Sequence, residues 1–162
     1  MYSPSVQPHG AGRVSNFLRY WLPVLLWMTL IFSFSSDAKS YHHSSRFFEP
    51  LMRWLFPQMS PETISEIHHA FRKTCHLMEY AIMAFLVWRA VRKPVKNDPR
   101  PWKWDEAGLA LAIVFAYAAS DELHQVFVPT RTALISDVLI DTAGGAAGLA
   151  LLWLRRKIFK PG

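Results

Sequence analysis

Residues 133–154 read ALISDVLIDTAGGAAGLALLWL, a run in which Asp137 and Asp141 are the only charged side chains. A bilayer core of about 30 Å is crossed by about 20 helical residues, so this run is long enough to span a membrane. Gly144 and Gly148 form a GxxxG pattern, which allows close contact between helices in lipid. The stretch therefore predicts a membrane-spanning helix that packs tightly against a neighbour and carries two carboxylates near one end.

Three further apolar segments precede this run, at residues 17–34, 77–91 and 107–120. The second and third are shorter than a full span, so they cross a membrane only if their helices continue through charged neighbours. Ser60-Pro61-Glu62 is typical of a helix start, with serine as the N-cap and proline at the first helical position. One helix is therefore expected from Pro61 to Lys93.

Together the segments predict an all-α, polytopic membrane protein: a bundle of four transmembrane helices with a helical extracytoplasmic link between helices one and two. The predicted domains are a flexible cytoplasmic tail at 1–16, the membrane domain at 17–155 and a basic cytoplasmic tail at 156–162. Residues 13–34 resemble a signal peptide, but the apolar stretch is long and no clear cleavage site follows. This favours a retained helix.

Basic residues are distributed asymmetrically about the apolar segments. Of the 18 lysines and arginines, 12 lie before or at the start of helix one, at the end of helix two or in the link after it, or after helix four. By contrast, 9 of the 12 acidic residues belong to the other side. The positive-inside rule then places both termini in the cytoplasm. Because the charge of +6 clusters beside apolar runs, it indicates membrane topology rather than nucleic-acid binding.

The link between the first two segments contains SRFFEPLMRWLF at residues 45–56, which interleaves aromatic and basic side chains. This pattern suits a short helix lying in the membrane interface, and it equally suits a loop packed over the bundle. Adjacent helical residues point about 100° apart, so the pairs His42-His43 and His68-His69 are expected to be solvated rather than metal ligands. The single Cys75 provides neither a disulfide nor a zinc site of its own.

Ionisable residues recur at a similar depth on three predicted helices. At 1.5 Å per residue, Glu79, Asp121 and Asp141 each lie about 20 Å from the cytoplasmic end of their helix, in the outer third of a membrane. Within each helix, polar residues three or four apart share a face. Charges at such depth are expensive, so they indicate either ion pairs that lock the bundle or a wet pocket that opens outward.

Four motifs together cover most of residues 35–154: Arg72-Lys73-xx-His76-xx-Glu79-Tyr80, Tyr117-xx-Ser120-Asp121-Glu122-x-His124-Gln125-x-Phe127, Arg131, and Ser136-Asp137-xxx-Asp141-xx-Gly144. As a set they resemble the VanZ-like membrane proteins, a family named for a protein linked to low-level resistance to the glycopeptide antibiotic teicoplanin. The chain departs from the family pattern in having Asp37 for a common glutamine, Thr130 for a common glycine and Asp141 for a common asparagine.

The residues and the resemblance lead to one main functional hypothesis, a pocket that binds or modulates the polar head group of an envelope lipid or a lipid-linked cell-wall precursor. The resemblance further implies an effect on teicoplanin susceptibility. No cofactor or metal is expected. The predicted pocket residues are Arg72, Lys73, His76, Glu79, Tyr80, Asp121, Glu122, His124, Gln125, Arg131, Asp137 and Asp141.

Two other classes stay open. The main alternative is a membrane-embedded enzyme that acts on a lipid-linked phosphate by His/carboxylate acid–base chemistry, with His76 or His124 as base and Arg131 stabilising negative charge. The chain has no HExxH, G-x-S-x-G or Walker motif that would strengthen this hypothesis. Proton movement through intramembrane carboxylates is a third class, although no inverted repeat typical of a transporter is visible.

Overall fold

The computed structural model describes residues 11–36, 40–95, 98–127 and 134–159. Over these residues the chain forms helices and no strand, which confirms the all-α prediction. The helices are α1 (Ala11–Tyr20), α2 (Leu22–Ser36), α3 (Ser40–Leu55), α4 (Pro61–Arg92), α5 (Trp104–Gln125) and α6 (Ile135–Phe159).

The first apolar segment is not the single straight helix that the sequence predicts. It is divided at Trp21 into α1 and α2, which meet at a bend of 41°. The cause is Pro23, which has no N–H to donate and whose ring clashes with the carbonyl of Arg19 in a straight helix. Helix α1 also begins at Ala11, inside the predicted tail.

Helix α4 begins and ends as its sequence predicts. The Ser60 hydroxyl accepts a hydrogen bond from the Thr63 backbone N–H at 3.2 Å, and Pro61 occupies the first turn. At the other end Lys93 adopts a left-handed conformation with φ 47°, and its N–H donates to the Arg89 carbonyl. The helix has 32 residues and is therefore about 48 Å long, more than a bilayer core requires.

Helix α6 runs parallel to α4 and touches its backbone. A Cβ added at Gly144 would lie 2.5 Å from the Leu77 carbonyl oxygen, and one at Gly148 would lie 2.7 Å from the Ala81 carbonyl oxygen. From the first contact to the second, the position moves four residues toward the C-terminus on α6 and also four on α4. The two helices are therefore parallel. The GxxxG motif thus forms the close helix contact that the sequence predicts.

Helix α5 packs against both α4 and α6 and completes the core. The side chains buried most completely at this three-helix contact are Tyr80, Met83, Ala84, Val87, Ala110, Val114 and Ala118. The α1–α2 pair covers one side through Tyr20, Val24 and Ile31. The core therefore lies among α4, α5 and α6, and these helices carry the candidate site.

Length and composition mark fewer membrane spans than the four predicted. Helix α6 is long and apolar enough to cross a membrane, and so is the bent α1–α2 pair if it forms one span. Helices α4 and α5 do not meet this criterion, because charged side chains lower their mean hydropathy. Asp, Glu, Lys and Arg number seven on α4 and four on α5. The four-span bundle is therefore not confirmed by the helices themselves.

Helix α3 joins the bundle through one aromatic side chain. The Phe48 ring stacks on His68 with centroids 4.8 Å apart and also contacts Phe71 of α4. The prediction of a solvated histidine pair is wrong for His68, which is only 1% exposed, because Phe48 covers it. His69 points outward as predicted.

We call the end of the bundle opposite Glu79, Asp121 and Asp141 the basic end. There the link between α4 and α5 closes around a buried arginine. The Arg92 side chain is fully buried and donates to Asp98 at 2.9 Å and to Glu106 at 2.8 Å. It also donates to the carbonyls of Arg100 and Pro101. Arg92 is therefore an internal structural residue as well as one of the basic residues that indicate topology.

Two more arginines complete this network. Arg100 donates to both Asp98 oxygens, and Arg156 of α6 donates to the Arg100 carbonyl at 2.8 Å. The guanidinium groups of Arg92 and Arg156 also lie over the Trp88 ring. The network ties the α4–α5 link to the end of α6.

We expect Gly144→Ala to lower the free energy of unfolding by roughly 1–3 kcal/mol, because its methyl group would meet the α4 backbone, which cannot move aside without separating the helices. Gly108→Ala is the matched control, since a Cβ there meets nothing within 4 Å. Alanine favours a helix over glycine, so the control should melt at the same temperature or slightly higher. Thermal unfolding of the purified protein measures both; equal melting of the two variants would contradict the close contact.

We expect Asp98→Asn to destabilise the protein by roughly 3 kcal/mol, because it removes a charged partner from a buried arginine. The Arg100 side chain holds the pKa of Asp98 below its usual range, aided by the Arg100 backbone N–H and Arg92 and opposed by burial. A lowered folded-state pKa stabilises the protein above the unfolded value of about 3.9, and this stabilisation is lost as the pH falls through the folded-state value.

Unfolding measured from neutral pH into acid should therefore show a loss of stability below about pH 4 in the wild type that is smaller in Asp98→Asn. Asp105→Asn, an exposed carboxylate nearby, is the control and should melt like the wild type. If both variants behave alike, the network does not stabilise the fold.

Candidate functional site

A small cavity lies where α4, α5 and α6 converge, at the end of the bundle opposite the basic end. We call it the polar pocket; its volume is about 40 Å³. A water molecule occupies about 10–15 Å³ of such a cavity, so the pocket has room for about three water molecules. Its lining residues are Lys73, His76, Glu122, Gln125, Asp137, Ile140 and Asp141.

An ion pair joins α4 to α6 at the rim of this pocket. The Lys73 ammonium donates to Asp137 Oδ1 at 2.8 Å, and each side chain is about one third exposed. The Ser136 hydroxyl lies 3.4 Å from the same oxygen. Because the parallel packing at Gly144 aligns the two helices, these residues meet although 64 positions separate them.

A second pair lies one turn further along α4. His76 Nδ1 is 3.5 Å from Glu79 Oε2, and both side chains are about one quarter exposed. The Trp27 indole N–H donates to the Glu79 carbonyl at 3.0 Å, which attaches α2 to this turn. Arg72 lies within electrostatic range of Glu79.

The end of α5 contributes three buried polar side chains, Asp121, Glu122 and Gln125. The Gln125 amide donates to the Ser35 hydroxyl at 2.8 Å and to Asp121 at 3.3 Å. Glu122 Oε2 accepts the backbone N–H of Leu134 at 3.0 Å, which holds the chain at the entry to α6. Asp121, Glu122 and Gln125 therefore have structural partners as well as a position at the pocket.

Tyr80 lies behind the pocket and is completely buried. Its hydroxyl is within electrostatic range of Asp141, Asp121 and Glu122. It makes no hydrogen bond to any residue in the described part of the chain. A buried hydroxyl beside carboxylates is suited to hold a water molecule or a small ligand group between them.

Among the described residues, the predicted pocket residue His124 lies away from the cavity. The His124 ring packs on Phe32 of α2, with centroids 4.6 Å apart, and does not line the cavity. Arg131 belongs to residues 128–133, which lie outside the described residues. The structure thus brings six of the twelve predicted residues to one cavity, with Glu79, Tyr80 and Asp121 close behind; that they bind a ligand stays a prediction.

The pocket lining has more acceptors than cations. Glu122, Asp137 and Asp141 face one lysine, which is already paired with Asp137. Over the described residues, no group of three or more His, Cys, Asp or Glu side chains is placed to hold a metal ion. The lining therefore favours a group that donates hydrogen bonds, such as a hydroxyl or an ammonium.

A wide, shallow groove adjoins the pocket along α4. It is lined by Ser65, Glu66, His69, Ala70 and Lys73 and has a volume of about 510 Å³. Lys73 belongs to both the groove and the pocket. A molecule larger than the pocket therefore has a surface along α4, continuous with the pocket at Lys73, along which to lie.

Sequence reasoning missed Ser35 and Ile140. Ser35 is 1% exposed and holds Gln125. The sequence marks it only as a polar residue at the end of an apolar helix and as part of Ser35-Ser36-Asp37, where the family often has Ser-Ser-Gln. Ile140 is three residues after Asp137 and therefore shares its helix face, but an apolar side chain gives no signal of a polar pocket.

The chain matches the family model described as VanZ/LLP1 over residues 20–156. This range includes the polar pocket and the network at the basic end. No curated protein and no solved structure matches the chain.

We expect Ser35→Ala to destabilise the protein by about 1 kcal/mol, because the buried Gln125 amide loses a hydrogen-bond partner. Ser33→Ala is the control in the same helix, since the exposed Ser33 hydroxyl bonds only to the Thr29 carbonyl one turn earlier. Thermal unfolding of both variants checks the prediction. A loss of stability in Ser33→Ala as large as that in Ser35→Ala would contradict it.

Proposed function

The chain belongs to the VanZ/LLP1 family, and we propose that it is a multi-pass membrane protein that binds the polar head group of an envelope lipid or a lipid-linked cell-wall precursor. The observation that carries the proposal is the convergence of six polar side chains from α4, α5 and α6 on one cavity. Ionisable groups inside a membrane are costly, and where they occur they usually mark a functional site.

The proposed membrane arrangement has four spans, formed by the α1–α2 pair, α6 and the apolar parts of α4 and α5. Because α4 is about 48 Å long, its charged first turns project beyond a 30 Å hydrocarbon core. The excess of basic residues at the basic end supports cytoplasmic termini in a bacterial plasma membrane. The polar pocket then opens on the extracytoplasmic side.

Size and charge determine what enters the pocket. A cavity of about 40 Å³ accepts a single small group but not a whole phosphorylated sugar. Glu122 and Asp141 are suited to accept hydrogen bonds from an ammonium or hydroxyl group at the tip of a head group. The remainder of the head group would lie in the groove along α4, where Lys73 is placed to pair with a phosphate.

Arg131 is proposed as a second cation for that phosphate, since it precedes α6 closely in sequence. Arginine binds phosphate through two parallel N–H groups, which makes it more selective than lysine. By holding a precursor head group, the protein would change how that group is presented at the cell surface. An effect on teicoplanin susceptibility would follow from this change.

Catalysis on a lipid-linked phosphate is the second candidate function, and one observation favours it. His76 lines the pocket with Glu79 3.5 Å from its ring nitrogen, an arrangement in which a carboxylate orients a general base. Release of phosphate from a lipid-linked phosphate by the purified protein, lost in His76→Ala, would support catalysis over binding alone.

We expect Glu122→Gln to reduce the co-purification of one head-group class about tenfold or more, because it removes a charged acceptor from the pocket. The glutamine oxygen still accepts the Leu134 N–H, so the fold should be retained. Mass spectrometry of lipids bound to the purified protein makes the measurement. Glu62→Gln, the same change at an exposed residue of α4, should bind lipids like the wild type.

Two outcomes count against head-group binding. In one, Glu122→Gln and the wild type carry the same lipids in the same amounts. In the other, Glu62→Gln loses as much lipid as Glu122→Gln, which would assign the effect to general acidity of the surface rather than to the pocket.

A further inference from the structure

Helix α3 has three stripes with different neighbours. Phe48, Met52 and Leu55 follow i, i+4, i+7 spacing and form one stripe, and Phe47, Leu51 and Trp54 form a second stripe with the same spacing. The third stripe contains Arg46 and Arg53. At 100° per residue, the second stripe lies between the first and the third.

The first stripe faces the bundle at Phe48 and Met52, whereas Leu55 at the end of the helix is exposed. Phe48 packs on His68 and Phe71, and Met52 is half-buried. This contact fixes the rotation of α3 about its axis, so the orientation of the other two stripes follows from it.

The second stripe has no covering from the described residues. Phe47 is 82% exposed and Trp54 is 76% exposed, with Leu51 at 52%. Three large apolar side chains in one row, next to a helix that is already docked, form a surface that excludes water only if something else covers it.

An exposed apolar row on α4 continues from this surface. Ile67, Phe71, Met78, Ile82 and Phe85 are all exposed and lie within about 40° of one direction on the helix. Phe71 belongs to this row and also contacts Phe48 of α3. The row extends about 27 Å along α4, nearly the depth of a bilayer core, and α3 docks near one end of it.

We propose that the second stripe of α3 lies in the membrane, at the boundary between acyl chains and head groups of the leaflet on the pocket side. Arg46 and Arg53 then reach the lipid phosphates, and Trp54 occupies the interface that tryptophan favours. The lipid surface fits because the apolar stripe is bordered by a basic stripe and is continuous with the row on α4. The proposal does not rest on head-group binding in the polar pocket.

Site-directed spin labelling tests the position of each stripe. The full chain, with Cys75→Ser as background, is placed in vesicles of phosphatidylethanolamine and phosphatidylglycerol. Labels at Phe47→Cys and Leu51→Cys report the apolar stripe, and labels at Arg46→Cys and Arg53→Cys are the matched controls on the basic stripe. All four side chains are exposed, so the substitutions leave the core intact.

Collision with oxygen, which concentrates in lipid, is compared with collision with a water-soluble nickel chelate. We expect the oxygen-to-nickel ratio to be several-fold higher at positions 47 and 51 than at 46 and 53. Equal ratios, or nickel access at position 47 like that at position 46, would overturn the proposal. Spin–spin broadening at position 47 that disappears on dilution with unlabelled protein would also overturn it, because a second copy of the chain would then cover the stripe.

Discussion

The close backbone approach between α4 and α6 is the contact on which the rest of the structure depends. Gly144 and Gly148 let α6 lie directly against Leu77 and Ala81, and this sets the register of the two parallel helices. With that register, Lys73 meets Asp137, and Asp141 lies near Tyr80. A side chain at either glycine would separate the helices and open the polar pocket that they enclose with α5.

The two ends of the bundle use charge in opposite ways. At the basic end, Arg92 is fully buried and each of its three nitrogens donates to an acceptor, and with Arg156 the network joins α4, α5 and α6. At the pocket end, carboxylates outnumber the lysine that pairs with them, and a cavity remains between the helices. A network in which the buried charges are paired stabilises one structure, whereas an excess of acceptors around a cavity is suited to bind a hydrogen-bond donor. This contrast is why the pocket, and not the more elaborate arginine network, is the candidate functional site.

Membrane placement and site chemistry support each other in this family member. A lipid head group reaches the pocket only if the pocket lies near the surface of a leaflet, and α3 docks on α4 at residues 68–71, one turn from Lys73. The groove lies on another face of α4 and shares Lys73 with the pocket. The small cavity and the wide groove together match a head group that inserts its tip and lies along α4.

Much of this protein was determined by local sequence. Ser60-Pro61 starts α4, the GxxxG motif marks the closest helix contact, and polar residues three or four apart identify the helix faces that form the pocket. These features depend on neighbours within one or two turns, so the chain alone reveals them. Tertiary structure alone decided that Gln125 binds Ser35, that His124 turns to Phe32, that Phe48 buries His68, and that Arg92 closes a link. Each of these depends on the rotation of one helix against another, which is set by side-chain packing across the bundle and not by the spacing of residues along one helix.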